Sequence, residues 1–126
     1  MFLRRNNKLE ALIGGNTEFR GDINTDGTLR IDGKMTGNII AEWVVLGETA
    51  SVKGNIKSKG IVIGGRVDGN VEAEELVDIK YTGKLFGDIH TRKLSVAEGG
   101  LFEGRSLIQK DEKKIIDFPG KDAVSK

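Results

Sequence analysis

Apolar residues alternate with their neighbours in short bursts: Leu29-Arg30-Ile31, Val44-Val45-Leu46, Ile61-Val62-Ile63, Val77-Asp78-Ile79 and Leu94-Ser95-Val96. A period of two predicts strands, not helices. A second signature recurs between the bursts, a glycine followed by a polar residue and a branched aliphatic. Its copies are Gly21-Asp22-Ile23, Gly37-Asn38-Ile39, Gly54-Asn55-Ile56, Gly69-Asn70-Val71 and Gly87-Asp88-Ile89, with Gly104-Arg105-Ser106 as a degenerate sixth. Two positions before each glycine stands an apolar side chain: Phe19, Met35, Val52, Val67, Leu85 and Phe102. The glycines are 16, 17, 15, 18 and 17 residues apart, so one register persists through six units.

Each unit therefore reads as about three short strands separated by Gly, Asn or Asp corners, too little to bury a face alone. Such units must stack on one another. The corners call for residues that tolerate positive φ, which Gly, Asn and Asp supply. Stacking at ~4.8 Å per coil predicts an all-β rod, a parallel β-helix of about six short coils and roughly 25 to 30 Å. The left-handed helix of hexapeptide acyltransferases also stacks short strands, but its coils keep near multiples of six and its catalysis needs a histidine base. Intervals of 15 to 18 residues and a single histidine, His90, favour the right-handed solenoid. On this reading residues 14–107 form the β-helix, between a flexible N-terminal tail, 1–13, and a disordered C-terminal tail, 108–126. The sole proline, Pro119, falls outside the repeat, where it removes no ladder hydrogen bond.

Composition narrows the function. Eighteen glycines in 126 residues, with one proline and no triplet period, exclude collagen. The absence of cysteine removes disulfides and thiolate metal sites, and makes the cytoplasm the expected compartment. No apolar run reaches the ~18 residues of a membrane span. The start, Met1-Phe2-Leu3-Arg4-Arg5, puts charge after apolar residues, the wrong order for a secretory signal. Basic and acidic residues number three and one over 1–13, eleven and fourteen over 14–104, and six and four over 105–126, giving net charges of +2, −3 and +2. An acidic middle argues against nucleic acid as a partner.

With the Gly-Asn-Ile and Gly-Asp-Ile repeats, two polar tails and the Met1-Phe2-Leu3-Arg4-Arg5 start, the chain resembles the bactofilins, a family of bacterial cytoskeletal proteins. The resemblance covers roughly residues 14 to 107. It implies a right-handed parallel β-helix that polymerises end to end, without nucleotide, into non-polar filaments. It also implies an N-terminal membrane-targeting peptide, here Phe2, Leu3, Arg4, Arg5 and Lys8, although Arg4 and Arg5 stand where many members carry lysine. Inserting Phe2 contributes roughly 2 kcal/mol and each nearby cation about 1 kcal/mol against anionic lipid. The total of about 5 kcal/mol means near-millimolar affinity, so one copy holds weakly and a filament of many copies holds firmly. By the same resemblance, cell-wall-modifying enzymes or membrane proteins are further partners.

The ends of such a rod expose strand edges and half a core. Capping helices are not apparent: Ile13, Phe19 and Ile23 are expected to line the first coil, and Leu94, Val96, Leu101 and Phe102 the last. Two self-complementary contacts, one per end, suffice for a thread. The candidate polymer-interface residues are Phe102 as anchor, with Leu101, Leu94, Phe19 and Ile13; Phe102 also reads as an ordinary core aromatic of the terminal coil.

Other motifs carry less. Asp22 to Leu29 matches the first eight positions of an EF-hand loop, but the twelfth position is Gly33 and no helical pattern flanks it, so a corner is expected instead of calcium. His90 should face outward and cannot by itself form a metal site. Glu72, Glu74, Glu75 and Asp78 read as a solvated acidic face. Gly14-Gly15, Gly64-Gly65 and Gly99-Gly100 lack the Lys-Ser or Lys-Thr of a phosphate loop, so no nucleotide or other cofactor is expected. Trp43 and Tyr81 occupy non-equivalent repeat positions and give weak support for sugar stacking. The expected function is a non-enzymatic, membrane-associated filament scaffold on the inner face of the bacterial cell membrane. The alternatives are a monomeric β-helix adaptor and a ligand binder, which do not polymerise.

Overall fold

A computed structural model describes residues 9–109. Six coils follow one another along the chain, each with three strand segments. The first comprises β1 (Leu9–Ile13), β2 (Glu18–Arg20) and β3 (Ile23–Asn24), and the second β4 (Thr28–Ile31), β5 (Lys34–Thr36) and β6 (Ile39–Ile40). The third contains β7 (Trp43–Leu46) and β8 (Ser51–Lys53), and closes on β9 (Ile56–Ile63), which runs on to open the fourth. The fourth continues through β10 (Arg66–Asp68) into β11 (Val71–Ile79), which likewise opens the fifth, completed by β12 (Lys84–Phe86) and β13 (Ile89–Thr91). The last holds β14 (Leu94–Val96), β15 (Leu101–Glu103) and β16 (Ser106–Ile108). All ladders between coils are parallel, as a chain that always winds one way requires.

Each coil contributes one segment to each of three faces. The first face stacks β1, β4, β7, the second half of β9, the second half of β11, and β14. The second stacks β2, β5, β8, β10, β12 and β15. The third stacks β3, β6, the first halves of β9 and β11, then β13 and β16. The solenoid includes Leu9–Ile13, inside the stretch assigned above to the tail. Leu9–Ile13 pairs with β4 but lacks a preceding glycine signature, so the repeat gave no sign of it.

The core is a set of axial columns. Leu29, Val44, Ile61 and Val77 form one, and Ile31, Leu46, Ile63 and Ile79 another, all fully buried. The second face contributes Met35, Val52, Val67 and Leu85, and the third Ile39, Ile56, Val71 and Ile89. At ~25 cal/mol per Å² of apolar area, burying such side chains yields about 2 kcal/mol each, and no coil achieves this without its neighbours.

The corners differ from expectation in one respect. Glycine alone serves the unusual backbone: Gly21, Gly37, Gly54, Gly69, Gly87 and Gly104 sit at φ between 137° and 151°, and a Cβ on Gly54 would strike the Gly37 carbonyl beneath it. The Asn or Asp that follows does something else. Asp22 Oδ1 accepts the Asn38 backbone N–H at 2.9 Å, Asn38 Oδ1 that of Asn55 at 3.0 Å, and Asn55 Oδ1 that of Asn70 at 3.0 Å. Asn70 Oδ1 then accepts from Asp88 at 3.0 Å, and Asp88 Oδ1 from Arg105 at 3.2 Å. One side-chain ladder thus runs the whole length of the rod and satisfies a corner N–H in each coil from the second to the sixth.

Candidate assembly surfaces

In a parallel coil successive residues point their N–H and C=O groups to one neighbour and then to the other, so the outermost strands leave one row of backbone groups without a ladder partner. Among the described residues β1, β2 and β3 are bordered on one side only, as are β14, β15 and β16. Among the described residues no helix covers either end. Both terminal coils also present incompletely covered core positions.

At the N-terminal end these are Ala11, Ile13, Phe19 and Ile23. Ile13 remains 8% exposed, while Ala11, Phe19 and Ile23 are half-buried against the core. At the C-terminal end Leu94 stacks on Val77, Val96 on Ile79, and Phe102 on Leu85. Leu94 and Phe102 pack against the core, whereas Val96 and Ile108 are 43% and 37% exposed. Ser106 occupies the position that Ile89 fills one coil earlier, and Ile108, stacked on Thr91, supplies an inward apolar side chain.

Of the candidate residues, the structure gathers Leu94 and Phe102 at one end, and Ile13 and Phe19 at the other. Leu101 departs from expectation. It pairs with Lys84, on the outward side of the second face, because alternation places the residue before an inward Phe102 outside. It borders the terminal coil and does not line its interior. Ile108 escaped the sequence reading because the sixth repeat is degenerate and its last strand crosses the expected boundary at 107. Phe2, Leu3, Arg4, Arg5 and Lys8 lie outside the described residues, as does the C-terminal stretch from Lys110 onward.

An ion pair fastens the last coil. Arg105 Nη2 bonds Asp88 Oδ2 at 3.0 Å while its backbone N–H bonds the other carboxylate oxygen. The Arg105 side chain, then its backbone N–H, hold the Asp88 carboxyl below its ordinary pKa. Elsewhere the surface charges pair along single strands, as in Arg66 with Asp68 at 2.9 Å, or across coils, as in Lys59 with Glu42 at 3.3 Å. Hydrogen bonds to those carboxylates raise the pKa of Arg66 and Lys59.

The remaining motifs fall into place as surface. The EF-hand-like stretch forms β3, a corner and the start of β4, with Asp22 engaged by Asn38. His90 lies between Glu72 and Leu107 in register on the outer third face. There Ile40, Lys57, Glu72, His90 and Leu107 line an open groove of about 770 Å³. Tyr81 is exposed, and the Trp43 ring occupies the space where a Cβ on Gly60 of the next coil would stand.

Comparison with known proteins decides the family, for residues 11–107 match the bactofilin model, described as polymer-forming cytoskeletal. The chain belongs to the bactofilin family. It is 30% identical over 95 residues to bactofilin BacO of Myxococcus xanthus, covering 75% of each chain. Over 96 residues it is 26% identical to bactofilin BacP of the same organism, covering 75% of this chain and 40% of that one. The fold matches a cryo-EM reconstruction of Thermus thermophilus bactofilin double helical filaments with a TM-score of 0.72 and 26% identity, over 79% of this chain and all of the other. The family is thus a structural, polymer-forming one, and the all-β solenoid read from the bactofilin-like repeat is the fold observed. Among the described residues no helix is long and apolar enough to cross a membrane.

Proposed function

We propose that this chain is a non-enzymatic cytoskeletal scaffold that assembles end to end, without nucleotide, into non-polar filaments. The observation that supports this reading most is the pair of terminal coils that no helix covers among the described residues, with half-buried Phe19 at one and half-buried Phe102 at the other. Joining two C-terminal ends covers Leu94, Val96, Phe102 and Ile108, and joining two N-terminal ends covers Ala11, Ile13, Phe19 and Ile23. Both contacts are isologous, so the thread has no polarity. On this reading Phe2, Leu3, Arg4, Arg5 and Lys8 attach the filament to anionic lipid on the inner face of a bacterial membrane. There the filament positions cell-wall or cell-shape machinery.

Negative-stain electron microscopy of the full chain, without nucleotide or metal, tests assembly: filaments a few nanometres wide are expected, and uniform small particles at every concentration would overturn the reading. Phe2→Ala combined with Arg4→Glu and Arg5→Glu tests attachment. Filaments should persist while cosedimentation with anionic liposomes is lost; retained cosedimentation would remove the N-terminal peptide from the account.

A further inference from the structure

We propose that the outer surface of the third face is a docking groove for this chain's own C-terminal segment, residues 110–118, which leaves the last coil at the edge of the groove and runs back along the rod toward the second coil. The inference concerns each subunit by itself and holds whether or not rods join end to end.

Register sets the outward column of this face as Ile40, Lys57, Glu72, His90 and Leu107, one residue from each coil from the second to the sixth. The first four line both the groove of about 770 Å³ and a neighbouring hollow of about 440 Å³. Large apolar side chains lie bare at the two ends of the column, Ile40 being 50% and Leu107 62% exposed. The neighbouring hollow is acidic on balance, with Asp26, Glu42, Glu72 and Glu74 against Lys57 and Lys59. Lys59 is taken up by Glu42, whereas Glu72 and Glu74 enter no ion pair among the described residues. Such a surface suits a segment that is basic where it crosses the fourth coil and apolar where it reaches the second.

The chain leaves the rod beside this surface. β16 ends at Ile108, and the Gln109 N–H still bonds the Thr91 carbonyl at 2.7 Å, so Lys110 starts from the third face of the last coil. Gln109 itself lines the acidic hollow. A seventh coil is a poor continuation. Leu94 stacks on Val77 and Val96 on Ile79 at an interval of 17 residues, and 17 residues further on stand Asp111 and Lys113. Burying those charges at inward positions is costly. The sequence instead runs Lys110-Asp111-Glu112-Lys113-Lys114-Ile115-Ile116-Asp117-Phe118, a basic pair followed by three large apolar residues.

Reach agrees with that order. At ~4.8 Å per coil, Glu72 lies two coils from Leu107, about 10 Å, and Ile40 four coils away, about 19 Å. Five residues counted from Lys110 span at most about 18 Å and nine at most about 32 Å. Lys113 and Lys114 therefore reach Glu72 and Glu74, and Ile115, Ile116 and Phe118 then reach Ile40. Because the segment is tethered, weak contacts suffice to hold it. An external ligand for this face must first displace it.

The test uses the full chain with p-benzoylphenylalanine in place of Phe118, which keeps an aromatic ring there and crosslinks under ultraviolet light to whatever it touches. Mixing chains of natural and heavy nitrogen separates products within one chain from products between chains. Mass spectrometry should place the crosslink on the third face, at or near Ile40, within one chain. Glu72→Lys with Glu74→Lys should lower its yield about fivefold. Glu103→Lys, on the outer side of the second face, should leave the yield unchanged. Products that join two chains, that map to the first or second face, or that ignore Glu72→Lys with Glu74→Lys would overturn the inference, as would no product on the rod at all. The crosslink is read within single subunits, so a failure of end-to-end assembly leaves it standing.

Discussion

Phe19 and Phe102 stand at opposite ends of a single axial column, with Met35, Val52, Val67 and Leu85 between them, so the only aromatic members of that column are its first and last. A ring caps each terminal coil with area the interior does not need. Replacing Phe102 by Arg puts an unpaired cation in the proposed dry junction, at a cost on the order of 3 kcal/mol. Association at that end should weaken about 100-fold or more. Sedimentation should find short assemblies or none while circular dichroism retains the β signal; filaments persisting around a folded rod would exclude Phe102 as the anchor.

The glycine column is a harder constraint than any apolar contact. Ala at position 54 must adopt φ near +144° and drive its Cβ into the Gly37 carbonyl, which is backbone and cannot swing aside. Gly54→Ala should cost at least about 3 kcal/mol and lower the melting temperature by roughly 10 °C or more. Gly14→Ala meets only the Thr17 hydroxyl, at 3.9 Å, and should be nearly silent in the same thermal melt.

The corner ladder needs an acceptor and not an amide, since Asp22 and Asp88 serve in it as well as Asn38, Asn55 and Asn70. Asn55→Asp should therefore be tolerated. Asn55→Ala removes the acceptor for the Asn70 N–H and should cost about 1 kcal/mol, visible as a lower urea midpoint. Equal losses from both variants would contradict an acceptor role.

Acid should loosen the last coil first. Because Arg105 lowers the Asp88 pKa in the folded chain, the pair contributes fully above the unfolded carboxylate value, ~3.9. That contribution is lost as pH falls through the lower folded value. Hydrogen exchange at Leu107 and Ile108 should accelerate below about pH 4, and Asp88→Asn should flatten that dependence. An unchanged profile in Asp88→Asn would assign the acid response to another group.

Much of this architecture was written in spacing. A glycine every 15 to 18 residues with an apolar side chain two positions earlier is enough to set the coil length, the stacking and the place of Phe102 in a terminal coil. Leu101 was legible and misread, since the spacing that aligns Phe102 with Leu85 puts the residue before it outside. Two things were not legible. The first strand, Leu9–Ile13, is recruited by pairing with β4 and carries no repeat signature of its own. The Asn and Asp at the corners read equally well as turn formers, and only the stacked coils reveal that their oxygens point along the axis to the next backbone N–H.

That axial direction has a mechanical consequence. The main-chain ladders of all three faces and the Asn and Asp ladder point along the rod, so tension on the long axis loads every rung of a coil together and not one after another. The Asn and Asp series stops at Arg105, whose side chain turns back to Asp88 and offers no amide or carboxylate oxygen onward. A junction between subunits lacks that strand of reinforcement. In a filament joined end to end, pulling should part the thread between subunits and release folded rods ready to rejoin.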